Sequence, residues 1–403
     1  MGQNNSDIRI SNRNLILKII ARHSYVSRIQ LAELSGLTKT TITNLTSELM
    51  EHDIISDASP DELNNLEVTA NSVGRRRSIL TLSKTSPLIA GIEIKRSKLT
   101  FALTELNGNC LNRREYALSN LIPGEKLIEK LIECMDDLLS STDRRVLGIG
   151  VSALGPIDCE NGVMLNPRRF FTEDTMLDLR TPLSTHFHLP LVFMHDAQAD
   201  ALRELLYNKD LESENFGLLL LDNGIGMGLC LNGKLYHGQQ GLGGEFGHTG
   251  IMLHGRNCPC GNNGCLETYA NDAMLIHYAE DILPHYKQRR HPNSPNLSNI
   301  FYYAEAGDPA CLAALGEYCK HVSYALTSVI NLLNLPLIVI SSPRYPNSQI
   351  LAETIEAQVN SKSITGQYSP IKVRHTVFPK DSSGVSANAI IAEQIFNGQL
   401  LLY

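Results

Sequence analysis

Apolar residues recur at helical spacing near the start of the chain, where Leu15, Ile16, Ile19 and Ile20 mark one face of a first helix. Ser27-Arg28-Ile29-Gln30 has the form of a capping box, a hydroxyl at the cap and an amide three residues on, and predicts a second helix with Leu31, Ala32 and Leu34 turned inward. Gly36 ends it. Thr38 opens a third helix with Ile42, Leu45 and Leu49 on one face and Thr40, Thr43, Asn44 and Ser47 on the other. Two short helices about the Ser35-Gly36-Leu37 turn predict a helix-turn-helix. An acidic loop from Asp57 to Glu67, then Gly74-Arg75-Arg76-Arg77 and the strand-like Ser78 to Leu82, completes the pattern of a winged helix.

From Leu88 the pattern changes to strand, turn, strand: Leu88 to Ile94, Lys98 to Leu106, an Asn107-Gly108 turn, then Cys110 to Leu118. A helix from Lys126 to Leu139 leads to the apolar strand Leu147 to Val151. The same order returns as Phe216 to Asp222, Gly226 to Leu231, an Asn232-Gly233 turn, a helix from His321 to Leu333 and the strand Leu337 to Ser341. The repeated order points to an internal duplication; periodicity alone supports only an α/β protein with two lobes. The arrangement resembles the two-lobed actin-like architecture.

The chain has 403 residues, 43% of them hydrophobic, enough for two or three domains of about 150 residues each, which excludes a disordered or fibrous protein. Thirty-five lysines and arginines against 42 acids give −7, which argues against a polybasic coat for nucleic acid or anionic membrane. Residues 1–84 hold ten lysines and arginines against nine acids, +1, leaving −8 on the remainder. The acids of that first segment gather after the middle of the third helix, so its N-terminal half suits a negative groove. No stretch approaches the roughly 18 apolar residues of a membrane span, and MGQNNSDIRISNRN lacks the apolar core of a signal peptide. A cytoplasmic protein without membrane contact is expected. Trp is absent, so a carbohydrate site here rests on hydrogen bonds.

Nine cysteines are an odd number, and three of them, Cys258, Cys260 and Cys265, lie within eight residues. With His248 they match a tetrahedral Cys₃His zinc site, thiolates and imidazole suiting that ion. Four protein ligands leave no open position, so the zinc is expected to be structural.

At the other end, the face made by Thr40, Thr43, Asn44 and Ser47, preceded by Lys39, can reach base edges, with Asn suited to adenine. Lys39 and Arg28 are expected at phosphates, which position without specifying. Arg75, Arg76 and Arg77 are expected in a minor groove or on the backbone of double-stranded operator DNA. One short helix covers few base pairs, so a homodimer or dimer of dimers is expected.

Three motifs together, Gly244-Glu245-Phe246-Gly247-His248, the Cys-x-Cys-Gly-x-x-Gly-Cys-x-Glu run over 258–267, and His195-Asp196-Ala197 after an apolar strand, resemble the ROK family of repressors, open reading frames and sugar kinases. With its N-terminal helix-turn-helix the chain is similar to that family's repressor branch, the branch of the xylose and N-acetylglucosamine repressors. The resemblance implies a winged helix-turn-helix on residues 1–84, then a ribonuclease H-like, sugar-kinase-type domain with internal duplication. Its first lobe spans 85–195, completed by a C-terminal helix in 381–403, and its second spans 196–380 with the zinc loop.

The resemblance further implies a sugar or sugar phosphate in the inter-lobe cleft, on Asp196, Glu245, His248 and Glu267, with His195 where the family usually carries Asn. His248 would meet metal with one nitrogen and a hydroxyl with the other. The residues alone also allow Asp196 as the N-cap of a helix through Leu202 and Leu205. Gly155-Pro156 resembles the family's turn beside the cleft, whereas residues 166–178 depart from it.

The implied function is a sugar-responsive repressor of carbohydrate uptake or catabolism genes. One alternative is an ATP-dependent ROK sugar kinase with an accessory DNA-binding domain; another is a repressor controlled by sequestration on a phosphotransferase-system protein. Phosphoryl transfer needs a base and a cradle of backbone amides. The family's first phosphate loop has Asp followed two residues later by Gly-Gly-Thr, and here Gly91 to Ser97 places Lys95 and Arg96 at both glycines, which keeps the backbone from a phosphate. No enzyme activity is expected, and Asp196 is read as a vestigial base position. The second loop, Asp222 to Gly228, keeps its glycines, a pattern shared with ordinary hairpins.

Overall fold

The computed structural model describes residues 5–64, 78–118, 121–165, 167, 170–172, 176–222, 224–286, 295–345, 347–378 and 383–402. Residues 1–195, 206–210 and 382–403 form one compact unit, and 196–205 with 211–381 form a second.

The first unit begins with α1 (Asn5–His23), β1 (Val26–Ser27), α2 (Arg28–Ser35), α3 (Lys39–Glu51), β2 (Ile55–Asp57), a short α4 (Pro60–Asn64) and β3 (Ile79–Leu82). The capping box at Ser27 is formed: its hydroxyl accepts from the Gln30 N–H at 3.2 Å and its own N–H donates to the Gln30 side chain at 2.9 Å. Gly36 closes α2 in the left-handed region, at φ 70°. The Thr38 hydroxyl caps α3 by accepting from Thr41 N–H, and Ile42, Leu45 and Leu49 are buried. β3 pairs antiparallel with both β1 and β2, so a three-stranded sheet backs the helices as in a winged helix. Two expectations are corrected here. Leu34 is 53% exposed, because α2 ends one residue later and its last turn lies beyond the packing that buries Leu31. Leu15 is also exposed, and Leu17 takes its place in a buried stripe with Ile16, Ile20 and Ala21. The Arg75 to Arg77 run lies outside the described residues.

The rest of this unit is built on β4 (Leu88–Ile94), β5 (Lys98–Thr104), β6 (Cys110–Ala117), α5 (Gly124–Leu139), β7 (Val146–Ala153), a small sheet of β8 (Ile157–Asp158), β9 (Val163–Met164) and β10 (Leu177–Asp178), α6 (Arg180–Phe187) and β11 (Leu191–His195). The main sheet runs β11-β7-β4-β5-β6, with β4 to β6 an antiparallel meander and β7 and β11 parallel additions. Leu127, Leu131, Met135 and Leu138 of α5 are buried at helical spacing in its core.

α7 (Asp196–Tyr207) carries the chain into the second unit, which holds β12 (Phe216–Leu221), β13 (Ile225–Leu231), β14 (Lys234–Tyr236), α8 (Asp272–Ile282), α9 (Leu297–Glu305), α10 (Pro309–Leu333), β15 (Leu337–Ser341), α11 (Gln349–Lys362) and β16 (Lys372–His375). Its sheet runs β14-β13-β12-β15-β16, again a three-stranded meander extended by two parallel strands. The identical order in both halves is the duplication that the sequence pattern predicts. α12 (Ser383–Phe396) then packs on β4, β5 and β7 of the first unit. No helix among the described residues is long and apolar enough to cross a membrane.

Helix and sheet meet at backbone distance in both units. A Cβ on Gly150 would overlap the Ala387 carbonyl of α12, and one on Gly228 would overlap the Ala197 carbonyl and Ala201 Cβ of α7. Asn388 of α12, fully buried, donates from Nδ2 to the carbonyls of Ile89 at 2.7 Å and Ala102 at 3.2 Å. Gly150→Ala is expected to destabilise the protein by about 1–3 kcal/mol through overpacking. Chemical denaturation followed by tyrosine fluorescence or circular dichroism checks this, and an unchanged midpoint refutes the close approach.

Candidate functional site

The loop between β14 and α8 is built by short turns around buried anchors. Phe246 and Leu266 belong to the core of the second unit, and each is close in sequence to polar residues: Glu245 precedes the first and His248 lies two residues after it, and Glu267 follows the second. Leu266 N–H donates to the Thr249 carbonyl at 2.9 Å, and Gly250 bridges to Cys265, which brings the two turns together. Gly261 and Gly264 take φ of 98° and 74°, values that favour glycine, where the chain doubles back on itself.

This doubling gathers His248, Cys258, Cys260 and Cys265 so that their ligand atoms all lie within 4.8 Å of one another. Cys258 Sγ stands 3.6 Å from His248 Nδ1, and Cys260 Sγ stands 3.7 Å from Cys265 Sγ. A zinc tetrahedron with bonds of about 2.3 Å to sulfur has sulfur–sulfur edges of about 3.8 Å. The donor set and its spacing therefore fit a tetrahedral metal ion. Burial pushes the Cys265 thiol up to about 12, with Cys258 and Cys260 adding to the effect. The Nδ1 atom is the one turned to the sulfurs, which leaves Nε2 of His248 for another partner.

The expected sugar ligands Asp196, Glu245, His248 and Glu267 all belong to the second unit. Their neighbours in the chain pack along β13 and the turn before it. Ala197, next to Asp196, presents its carbonyl to Gly228; Gly244, next to Glu245, accepts from Met227 N–H at 3.1 Å; the Glu267 carboxylate lies beside Gly224 and Gly247. Asp196 is the first residue of α7, and its Oδ1 accepts from Ala197 N–H at 2.7 Å, so it has a helix-starting role as well. His195 closes β11 in the first unit, opposite Ala153 of β7. The Asp222 to Gly228 glycines form the β12–β13 hairpin, and Arg344 ties Asp222 to Asp272 with contacts of 3.1 and 2.5 Å.

Gln198 is a site residue that motif reasoning misses. It is 1% exposed, and its side-chain nitrogen is directed at the carbonyls of His237, Gly241 and Gly243 at 3.3, 3.1 and 2.8 Å. The helix that begins with Asp196 thereby holds the loop that ends at Glu245. Its partners are backbone carbonyls, which have no sequence signature.

In the winged helix, Lys39, Thr40, Thr43, Asn44 and Ser47 are all exposed along α3. Arg28, expected at a phosphate, is half-buried. Its guanidinium donates to Thr46 Oγ1 at 3.1 Å and Ser78 Oγ at 2.8 Å and contacts Met50 Sδ at 3.4 Å, bracing α2 against α3 and β3. Arg9 and Arg13 of α1 both pair with Glu48 of α3, at 2.6 and 3.3 Å. At the β4–β5 hairpin, Lys95 N–H donates to the Lys98 carbonyl at 3.0 Å and Lys95 Nζ lies 3.7 Å from the buried Glu93 carboxylate.

Two duplicated β-meander lobes that follow a winged helix in the chain define an actin-like fold with an N-terminal helix-turn-helix. Residues 89–395 match the ROK family, and the chain belongs to that family. It is 26% identical over 382 residues to the xylose repressor of Caldicellulosiruptor bescii, covering 92% of each chain. It is 25% identical over 401 residues to the DNA-binding transcriptional repressor Mlc of Escherichia coli, covering 98% of this chain and 96% of that one. Among solved structures, a ROK family transcriptional regulator described as a homologue of the E. coli Mlc protein superposes with a TM-score of 0.77 at 24% identity over 97% of each chain. A ROK family glucokinase from Streptomyces griseus superposes with a TM-score of 0.62 at 20% identity, over 75% of this chain and 98% of its own. The structural likenesses establish the fold.

Gln198→Met would leave carbonyls facing an apolar side chain, at about 1–3 kcal/mol for a buried unsatisfied group. Amides in the 238–244 loop are expected to exchange about tenfold faster as a result. Hydrogen-exchange mass spectrometry reads this directly, and wild-type protection in the variant rules out the clamp.

Proposed function

We propose that this protein is a sugar-responsive transcriptional repressor of carbohydrate uptake or catabolism genes, acting in the cytoplasm as a homodimer or dimer of dimers on double-stranded operator DNA. The observation that carries the reading is the joint presence of an exposed polar face on α3 and a set of carboxylates and imidazole gathered on a Cys₃His loop, in one chain of the ROK family. Thr40, Thr43, Asn44 and Ser47 read base edges, and Lys39 meets phosphate, joined by Arg75, Arg76 and Arg77. Arg28 contributes by holding α3 in place. Asp196, Glu245 and Glu267 accept hydrogen bonds from sugar hydroxyls, His248 adds Nε2, and His195 sets which sugar fits.

His248, Cys258, Cys260 and Cys265 hold zinc, whose contribution is a cross-link of the loop, since four protein ligands leave no position open. No phosphoryl transfer is assigned: Lys95 and Arg96 stand in the hairpin where the family's kinases place glycines, and Asp196 serves as a hydroxyl acceptor.

Three measurements test the reading. Zinc-loaded protein screened against sugars and sugar phosphates is expected to show a rise in unfolding temperature with one of them, about 2.7 kcal/mol at a hundredfold excess over Kd. Asp196→Asn is expected to weaken that ligand at least about tenfold, the loss of a charged hydrogen bond. No rise with any sugar would favour control by a partner protein instead. Elemental analysis is expected to give one zinc per chain, lost in Cys260→Ser together with ligand-dependent release from DNA; unchanged repression and induction in that variant would count against a zinc role. An ATP-coupled assay is expected to show no hexose phosphorylation, and turnover at a useful rate would overturn the non-enzymatic assignment.

A further inference from the structure

Helix α1 is used on several sides. Its apolar stripe is buried where it packs on α2 and α3, and Arg9 and Arg13 both bond Glu48 of α3. A further stripe, Ile10, Asn14, Lys18 and Arg22, repeats every four residues and therefore runs along one side of the helix. That stripe meets the C-terminal ends of two helices. Gly398, just past α12, lies against Asn14 and Ile10: a Cβ built there would stand 3.1 Å from Asn14 Nδ2 and 3.5 Å from Ile10 Cγ2. Lys18 acts on Glu393 of α12, whose carboxyl is pushed up to about 7 by burial and drawn back by the Lys18 charge. Arg22 donates to the Asn208 carbonyl, one residue past α7, at 3.0 Å. Lys209 Nζ reaches the His23 carbonyl at 3.5 Å and Ser24 Oγ at 3.4 Å. This end of α7 is well anchored, since Tyr207 is buried against Gly108 of the β5–β6 turn and Asn208 is 2% exposed.

These two helices have a property in common. α7 starts at Asp196 in the second unit and ends at Tyr207 in the first, and α12 follows β16 of the second unit to pack in the first. α7 itself passes from one unit to the other, and α12 lies wholly in the first unit, directly after the chain has returned to it. We propose that α1 is the receiver of the effector signal: its Ile10-Asn14-Lys18-Arg22 stripe seats the DNA-binding segment on the far ends of α7 and α12, and ligand at Asp196 moves α3 through this seat. The inference rests on the sugar-responsive reading above. Twelve helical residues span about 18 Å, and a helix transmits a displacement of its first turn to its last because its hydrogen-bonded turns move together. From α1 the shift passes to α3 through the Arg9 and Arg13 pairs with Glu48. Arg22 and Lys209 are positioning residues that touch neither sugar nor DNA.

The test uses the full chain with D-xylose, D-glucose and N-acetyl-D-glucosamine as probes. Thermal unfolding reports binding, and amide exchange reports α1 and α3. In the wild type, a sugar that raises the unfolding temperature is expected to change exchange over residues 19–24 and in α3 by at least about fivefold. The Arg22→Met, Lys209→Met double variant is expected to keep the thermal shift and lose the change in α3, and Arg22→Lys, with Lys209 intact, to retain it. A merely structural role for the two cations would alter basal exchange and leave the sugar-dependent change in place, which overturns the inference. So does a thermal shift in the wild type with no change at α1, and either result leaves the functional reading standing. No thermal shift with these three or with any other sugar or sugar phosphate overturns both together.

Discussion

Two helices lie on two sheets at backbone distance, and the placement of the remaining functional parts follows from that contact. Where Gly150 meets the Ala387 carbonyl and Gly228 meets Ala197, no side chain of any size fits between strand and helix. Close-packed interiors transmit such a constraint, because a shift of even one methylene is felt by the neighbours. The strand glycines thus fix the heights of α7 and α12 on their sheets. The start of α7 then holds Asp196 beside β13, and the ends of α7 and α12 supply the surface on which α1 rests.

The loop between β14 and α8 works by alternating buried anchors with candidate ligand residues. Phe246 and Leu266 are held in the core, so Glu245, His248 and Glu267 have little freedom of main chain. Gln198 adds a tie from α7.

Much of this was legible in the residues themselves. The capping box at Ser27, the left-handed stop at Gly36 and the repeated strand-turn-strand order depend on local chemistry, which sequence spacing reports. The Cys₃His set was legible because its three thiols are close in sequence and their intervening glycines have a turn-forming purpose. Other features depend on contacts between distant segments. Arg28 reads as an exposed cation at a helix start, but Thr46 and Ser78 claim it from 18 and 50 residues away. Leu34 has the right spacing for the core and lies where the helix has run out of neighbours. Gln198 and the polar stripe of α1 are hidden for a different reason: hydrophobic periodicity finds only apolar faces, and these contacts are made by amides, cations and carbonyls.

The strength of the α1 seat fits a switch. A ligand shifts a protein between states only by its difference in affinity for them, and couplings between sites amount to about 1–3 kcal/mol. Net intramolecular hydrogen bonds contribute about 0.5–1.5 kcal/mol each. The Arg22 bond to Asn208 and the longer Lys209 contacts therefore lie in the range of a single coupling energy. A seat built from buried apolar side chains would hold α1 in one position whatever occupied Asp196. A seat of solvent-screened contacts alone would fail to carry the displacement. Asn14, 2% exposed beside Gly398, and the half-buried Arg22 and Lys18 supply an intermediate case, firm enough to follow the helix ends and weak enough to be re-made in a second position.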